Sequence, residues 1–303
     1  MRRFIIDTDT ASDDAVALVM ALHYPDVQIE AITVVAGNVP VEQGVQNALY
    51  TVELCNKSVP VYSGLASPLF YPLETAEYFH GHDGLGDIGL PLAGRQPANG
   101  RAIDVIVETI NRYPGQITLV TLGPLTNIAF ALLFDSSIAH KVKECIVMGG
   151  VGYGIGNITP VAEYNIWVDP QSAKIVFDSG MPLKMVGWDV SISAATITST
   201  DEETIRNINT PLAAFCMNIQ NTHASVKNRT VLADPIAMAI ALDESIAGET
   251  KRLYVGIETQ SELCRGQTVV DHRGVLQKEP NVDVVLTASK EKFLDLLLLS
   301  VKI

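Results

Sequence analysis

Apolar residues fall into two alternating patterns along the first two thirds of the chain. Phe4-Ile5-Ile6, Ile29 to Val35, Ile117 to Thr121, Cys145-Ile146-Val147-Met148 and Leu183 to Val186 are short runs rich in β-branched residues, apolar at successive positions. Such runs read as strands buried on both faces. Between them the spacing predicts helices over 13–23 (stopped by Pro25), 41–55, 103–112, 127–134 and 169–179. Strands alternating with helices predict an α/β fold with a doubly wound, mostly parallel sheet. From Thr200 onward the pattern is mainly helical, including a helix over 235–242 that Asp234-Pro235 opens. A strand over 251–257, a hairpin-like stretch and a last helix over 289–301 follow. No Pro/Gly/Ser tract divides the chain, so residues 1–303 are expected to form one domain.

Charge narrows the partners. The chain carries 34 acidic and 21 basic residues, a formal net charge of −13. Nucleic acid and anionic membranes, both polyanions, would be repelled, whereas a cluster of carboxylates would welcome a cation. Apolar residues make up 48% and charged residues 18%, which excludes a disordered chain. Cys55, Cys145, Cys216 and Cys264 are scattered, with neither zinc-site nor disulfide-framework spacing, and read as buried free thiols in a reducing compartment. The N-terminal apolar run ends at Asp7 after three residues, too short for a signal-peptide core. No run approaches the roughly 20 residues of a membrane span. A soluble, cytoplasmic protein is expected.

Ligands of open parallel sheets bind at the carboxyl ends of strands, and polar residues gather there. Asp7-Thr8-Asp9-Thr10-Ala11-Ser12-Asp13-Asp14 follows the first strand. N-capping by Ser12 or Asp13 accounts for one or two of these acids and leaves Asp7 and Asp9 without a purpose. Oxygen ligands without His or Cys select Ca²⁺ or Mg²⁺ over zinc. An EF-hand loop starting at Asp7 fails, because its fifth, sixth and twelfth positions hold Ala11, Ser12 and Leu18. Asp7-Thr8-Asp9-Thr10 also resembles the nucleophile loop of haloacid-dehalogenase-like phosphatases, with Asp7 as nucleophile, and that reading stays open here. The other strand and helix ends carry Gly37-Asn38, Gly123-Pro124-Leu125-Thr126-Asn127, Met148-Gly149-Gly150, the stretch from Gly156-Asn157 to Glu163-Tyr164-Asn165, and Asp234-Pro235.

Together these segments resemble the nucleoside hydrolase family, the calcium-dependent inosine-uridine-preferring ribohydrolases. His80-Gly81-His82-Asp83-Gly84-Leu85-Gly86, Asp169-Pro170 and Arg265-Gly266-Gln267-Thr268 add to the likeness, which runs through most of the chain. The resemblance implies a single domain with a mostly parallel, Rossmann-like central sheet flanked by helices, and one buried Ca²⁺. It also implies that Asp9, Asp14, Asp234 and the main-chain carbonyl of Leu122 bind the ion. Asp13, Asn38, Asn157, Glu163 and Asn165 would then hold the ribose hydroxyls, and Met148 would line the sugar pocket. A homodimer or homotetramer is implied as well.

The implied reaction breaks the bond between ribose C1′ and a base nitrogen, through an oxocarbenium-like transition state as in glycoside hydrolysis. The resemblance gives Ca²⁺ the task of activating a water and Asp9 that of general base. One position departs from the family pattern. Where many members place a His before the third calcium Asp, this chain has Ala233, which cannot donate a proton. His80, His82, Trp188 and His223 are the candidate base contacts. A purine takes its proton from solvent more readily than a pyrimidine, so the missing acid suggests a purine preference. A non-enzymatic nucleoside- or ribose-binding protein is a further reading.

Overall fold

The computed structural model describes residues 1–220 and 230–302. Its centre is an eight-stranded sheet. The strands are β1 (Arg2–Thr8), β2 (Val27–Val34), β3 (Val61–Ser63), β4 (Ile117–Thr121), β5 (Glu144–Met148), β6 (Leu183–Val186), β9 (Thr250–Leu253) and β12 (Val282–Val285). The short pair β7 (Thr196–Ile197) and β8 (Thr230–Val231), and the pair β10 (Val255–Ile257) and β11 (Thr268–Val270), lie outside it. Across the sheet the order is β3-β2-β1-β4-β5-β6-β12-β9. Every pairing is parallel except β12 with β9, which matches the expected doubly wound architecture.

Successive strand residues face opposite layers, and each layer has its own core. Phe4 and Ile6 pack with helix α1 (Ser12–His23) and with the helices Val41–Leu54, Ala233–Leu242 and Lys290–Ser300. Ile5 faces the helices Ala102–Arg112, Thr126–Phe134 and Pro170–Phe177. Burial on both faces explains why these strands read as continuous apolar runs. Helix α1 is buried from Ser12 to Leu22, as a helix enclosed on all sides must be. The sequence order reverses between β1 and β4, since β2 and β3 extend one way and β5 and β6 the other. A crevice opens at such a switch point, beyond the carboxyl ends of the strands.

Three details depart from the expectation. The strand over 251–257 is two strands in two sheets. Asn281 takes both polar groups of Val255, accepting its N–H at 2.8 Å and donating to its carbonyl at 3.0 Å, so the chain leaves the β12 ladder after Leu253. The three-residue edge strand β3 had too short an apolar run to be recognised. Cys55, Cys145 and Cys216 are free and buried as expected, but Cys264 is only half-buried. Among the described residues no helix is long and apolar enough to cross a membrane.

Candidate functional site

Strand β1 ends at Thr8 and helix α1 begins at Ser12, so the end of one strand, one turn and the start of one helix bring Asp7, Asp9, Asp13 and Asp14 close together, all buried. The helix cap is Ala11, not Ser12 or Asp13. Asp14 does the capping from inside the first turn: its Oδ2 accepts the Ala11 N–H at 2.9 Å and its Oδ1 the Thr8 hydroxyl at 2.5 Å. Asp234 arrives from the first turn of the Ala233–Leu242 helix, which packs on α1. Carboxylate oxygens of Asp13, Asp14 and Asp234 lie within 4.8 Å of one another.

Asp9 is held from one side only. Its Oδ2 accepts the Asn38 N–H at 2.6 Å, while its Oδ1 is buried with no hydrogen-bond donor. The adjoining turns must be glycine because Asp9 fills the space a side chain would need. A Cβ on Gly123 would stand 2.8 Å from Asp9 Oδ1, and one on Gly37 would stand 2.8 Å from Asp9 Cγ. Both glycines that marked strand ends in the sequence are thus explained by close approach.

Electrostatically the cluster is incomplete. Burial raises the pKa of Asp9, Asp14 and Asp234, and repulsion from neighbouring acids adds to it for Asp9 and Asp234. Burial first, then the Asp14 charge, brings Asp13 to about 7. Among the described residues no Lys or Arg pairs with any of them; the His80 ring, with Nδ1 3.9 Å from Asp13 Oδ1, is their one basic neighbour. Asp13 Oδ1, like Asp9 Oδ1, is buried without a hydrogen bond. Buried carboxylates lacking partners are costly. An oxygen-only set with two orphaned oxygens fits a hard divalent cation.

Asp7 is a different kind of acid. It lies at 0% exposure, and its Oδ1 accepts the Thr33 hydroxyl at 2.5 Å and the Asn127 amide at 2.8 Å. Burial raises it to about 7. These two bonds, from strand β2 and from the Thr126–Phe134 helix, anchor Asp7 in the sheet, a structural role that does not favour Asp7 as the nucleophile of the phosphatase reading.

The structure draws in most of the other expected residues. Glu163 caps the helix Tyr164–Val168, accepting the N–H groups of Asn165 at 2.9 Å, Gly150 at 2.9 Å and Ile166 at 3.3 Å, and burial raises it to about 7. Asn165 donates to the Leu122 carbonyl at 2.7 Å and to the Met148 carbonyl at 3.2 Å, which ties three expected site residues together. Asn38 also approaches Asp14 Oδ2 at 3.5 Å. Asn157 is exposed, and its side chain accepts the Tyr164 N–H at 2.9 Å. His80 is buried, with Nδ1 2.8 Å from the Ser12 hydroxyl. His82 is 90% exposed and pairs with Glu77. Trp188 is half-buried against the core. His223 lies outside the described residues.

Three residues near the site escaped the sequence reading. Asn47 donates to the carbonyls of Thr10 at 2.9 Å and Asp83 at 2.8 Å, joining the acid turn to the His80 loop. The signal was there, an amide within the apolar stripe Val41, Val45, Ala48, Val52 of its helix. Gln220 donates to the Ser12 carbonyl at 2.9 Å and keeps Oε1 buried without a partner. Tyr164 donates its hydroxyl to the Glu74 carbonyl at 2.8 Å. Gln220 had no local signal, whereas Tyr164 stands inside the marker Glu163-Tyr164-Asn165.

Comparison with known proteins points one way. A family model described as inosine-uridine preferring nucleoside hydrolase matches residues 4–295. A pyrimidine-specific ribonucleoside hydrolase, RihA, of Shewanella sp. (strain MR-7) is 38% identical over 304 residues, spanning 98% of this chain and 95% of the relative. A solved plant nucleoside hydrolase superposes with a TM-score of 0.92 at 30% identity, covering 99% of both chains. The purine-preferring ribonucleoside hydrolase from Gardnerella vaginalis superposes with a TM-score of 0.91 at 29% identity, covering 99% of this chain and 98% of that one.

Proposed function

This chain belongs to the inosine-uridine preferring nucleoside hydrolase family and is a ribonucleoside hydrolase, and from that premise we propose how its residues divide the work. Asp9 is the general base. As the C1′–N bond breaks, a water oxygen bonds to C1′, and the water's proton passes to Asp9 Oδ1. The bonding pair leaves with the base, which takes a proton on nitrogen, giving free base and ribose. Positive charge builds on the sugar ring, and the surrounding buried acids stabilise it. Asp13, Asn38, Asn157, Glu163 and Asn165 hold the ribose hydroxyls, with Met148 beside them, so that C1′ is presented at a fixed angle.

Asp9, Asp14, Asp234 and the Leu122 carbonyl are the proposed holders of a calcium ion. When bound, calcium supplies positive charge that keeps the acids ionised and acidifies a neighbouring water. The observation that carries this reading is the pair of buried, donorless oxygens, Asp9 Oδ1 and Asp13 Oδ1, in a cluster at the sheet's switch point. The test is ribose release from uridine and inosine with and without a calcium chelator. Chelator-sensitive release is expected; undiminished release in metal-free protein overturns the calcium assignment.

For the base we propose a pyrimidine preference. The purine expectation rested on Ala233, which removes one proton donor, yet His80 places an imidazole against Asp13 and Ser12. That ring is the proposed base-facing proton donor. The 38% identical relative is named pyrimidine-specific, while the solved purine-preferring enzyme is 29% identical. A higher kcat/KM for inosine than for cytidine and uridine overturns this preference.

A further inference from the structure

The late marker Arg265-Gly266 has no part in the chemistry above, yet its side chain is built into the molecule. The Arg265 guanidinium lies 3.9 Å from the Trp167 ring centre and 4.3 Å from that of Tyr71. Its side chain is 17% exposed and the nearest carboxylate oxygen, Glu74 Oε1, is 3.7 Å away. Its Nε is buried with no acceptor. Ring faces, not hydrogen bonds, therefore hold this cation, an arrangement that needs the flat guanidinium. Gly266 sets its position. The backbone there has φ +77°, and a Cβ would stand 2.5 Å from Trp167 Cα, so the chain lies flat on the main chain of the residue whose ring Arg265 covers.

The two rings come from two sides of the pocket. Trp167 is in the helix Tyr164–Val168, which carries Asn165 and is capped by Glu163. Tyr71 is in the segment that runs through Glu74 into the helix Glu77–His80. Other ties join the same two segments: the Leu69 N–H to Asp169 Oδ2 at 2.9 Å, the Tyr164 hydroxyl to the Glu74 carbonyl at 2.8 Å, and a small apolar cluster of Ala76, Tyr164 and Val168 against which Leu73 and Trp167 pack.

We infer that Arg265 is a positioning residue, a clamp from the C-terminal part of the chain that fixes the segment leading to His80 against the helix bearing the ribose-holding Glu163 and Asn165. It touches neither water nor sugar. It sets the spacing between the part of the pocket that grips ribose and the part that meets the base, and so acts on substrate affinity more than on bond cleavage. This inference rests on the functional reading above.

The test compares wild type with Arg265→Met, which keeps bulk and loses charge, and Arg265→Lys, which keeps charge and loses the flat face. Both are expected to raise KM for uridine about tenfold with kcat within about threefold, and Lys is expected not to rescue. A rescue by Lys, or a loss confined to kcat, overturns the clamp. Hydrogen exchange reads the same idea without turnover: amides of 69–76 and of 164–168 should exchange faster together in both variants. Faster exchange confined to 258–267 overturns the clamp, whatever the activity. A wild type that releases no ribose from any nucleoside overturns the functional reading instead, and the exchange result still decides the clamp.

Discussion

Replacing Gly37 by alanine tests whether the space around Asp9 is functional. The new methyl would overlap Asp9 Oδ2 and stand 2.8 Å from both Asp9 Cγ and Pro124 Cδ. The Pro124 ring and the turn are rigid, so the carboxylate must move by about 1 Å, a displacement that in an active site lowers turnover by about a hundredfold. The move also breaks the 2.6 Å bond from the Asn38 N–H, and a hydrogen bond to a charged group contributes about 1.5–3 kcal/mol. Overpacking adds about 1–3 kcal/mol. Gly154→Ala is the control, because its methyl would meet only ordinary contacts, 3.6 Å from Asp189 Cβ and 3.9 Å from Val151 Cγ1. Reducing-sugar kinetics and thermal unfolding on both variants give the answer. Gly37→Ala should lose about two orders of magnitude in kcat and several degrees in Tm, with Gly154→Ala near wild type. Wild-type kcat in a folded Gly37→Ala would refute the reasoning that Asp9 needs its present position.

Asp9→Asn should lower kcat by about 10²–10⁴-fold, the usual contribution of a positioned base, with folding retained; near-normal turnover would remove Asp9 from that role. Chelation should abolish ribose release and lower Tm, and added calcium should restore both, since an ion bound only by the folded chain stabilises it. Glu163 predicts a pH dependence. Burial raises it from 4.5 to about 7, so its favourable share of stability is complete below pH 4.5 and lost as pH rises through about 7. That loss is about 3 kcal/mol. Glu163→Gln cannot titrate, so its Tm relative to wild type should climb between pH 5 and 8; a flat difference would count against the burial argument.

The acid cluster was legible because its members are neighbours in the chain. Asp7, Asp9, Asp13 and Asp14 share one strand end, turn and helix start, and no cap accounts for four acids in such a place. Their unlike roles were not legible. Asp7 and Asp9 are two residues apart, yet Asp7 is bonded by the Thr33 and Asn127 side chains and Asp9 only by the Asn38 N–H. Partners that lie 26 and 120 residues away settle this. The histidine pair shows the same limit: His80 is buried at the site and His82 is 90% exposed, a distinction that the loop composition does not carry.

Local chemistry thus wrote the strands, the helices and the acid turn into the sequence, because apolar periodicity and strand-end polarity act over a few residues. Gln220 reaching Ser12, Asn281 diverting Val255, and Arg265 lying between Tyr71 and Trp167 belong to the tertiary structure alone. Each joins residues tens to hundreds of positions apart, and only the packing of layers around the β1–β4 switch point brings them within bonding distance.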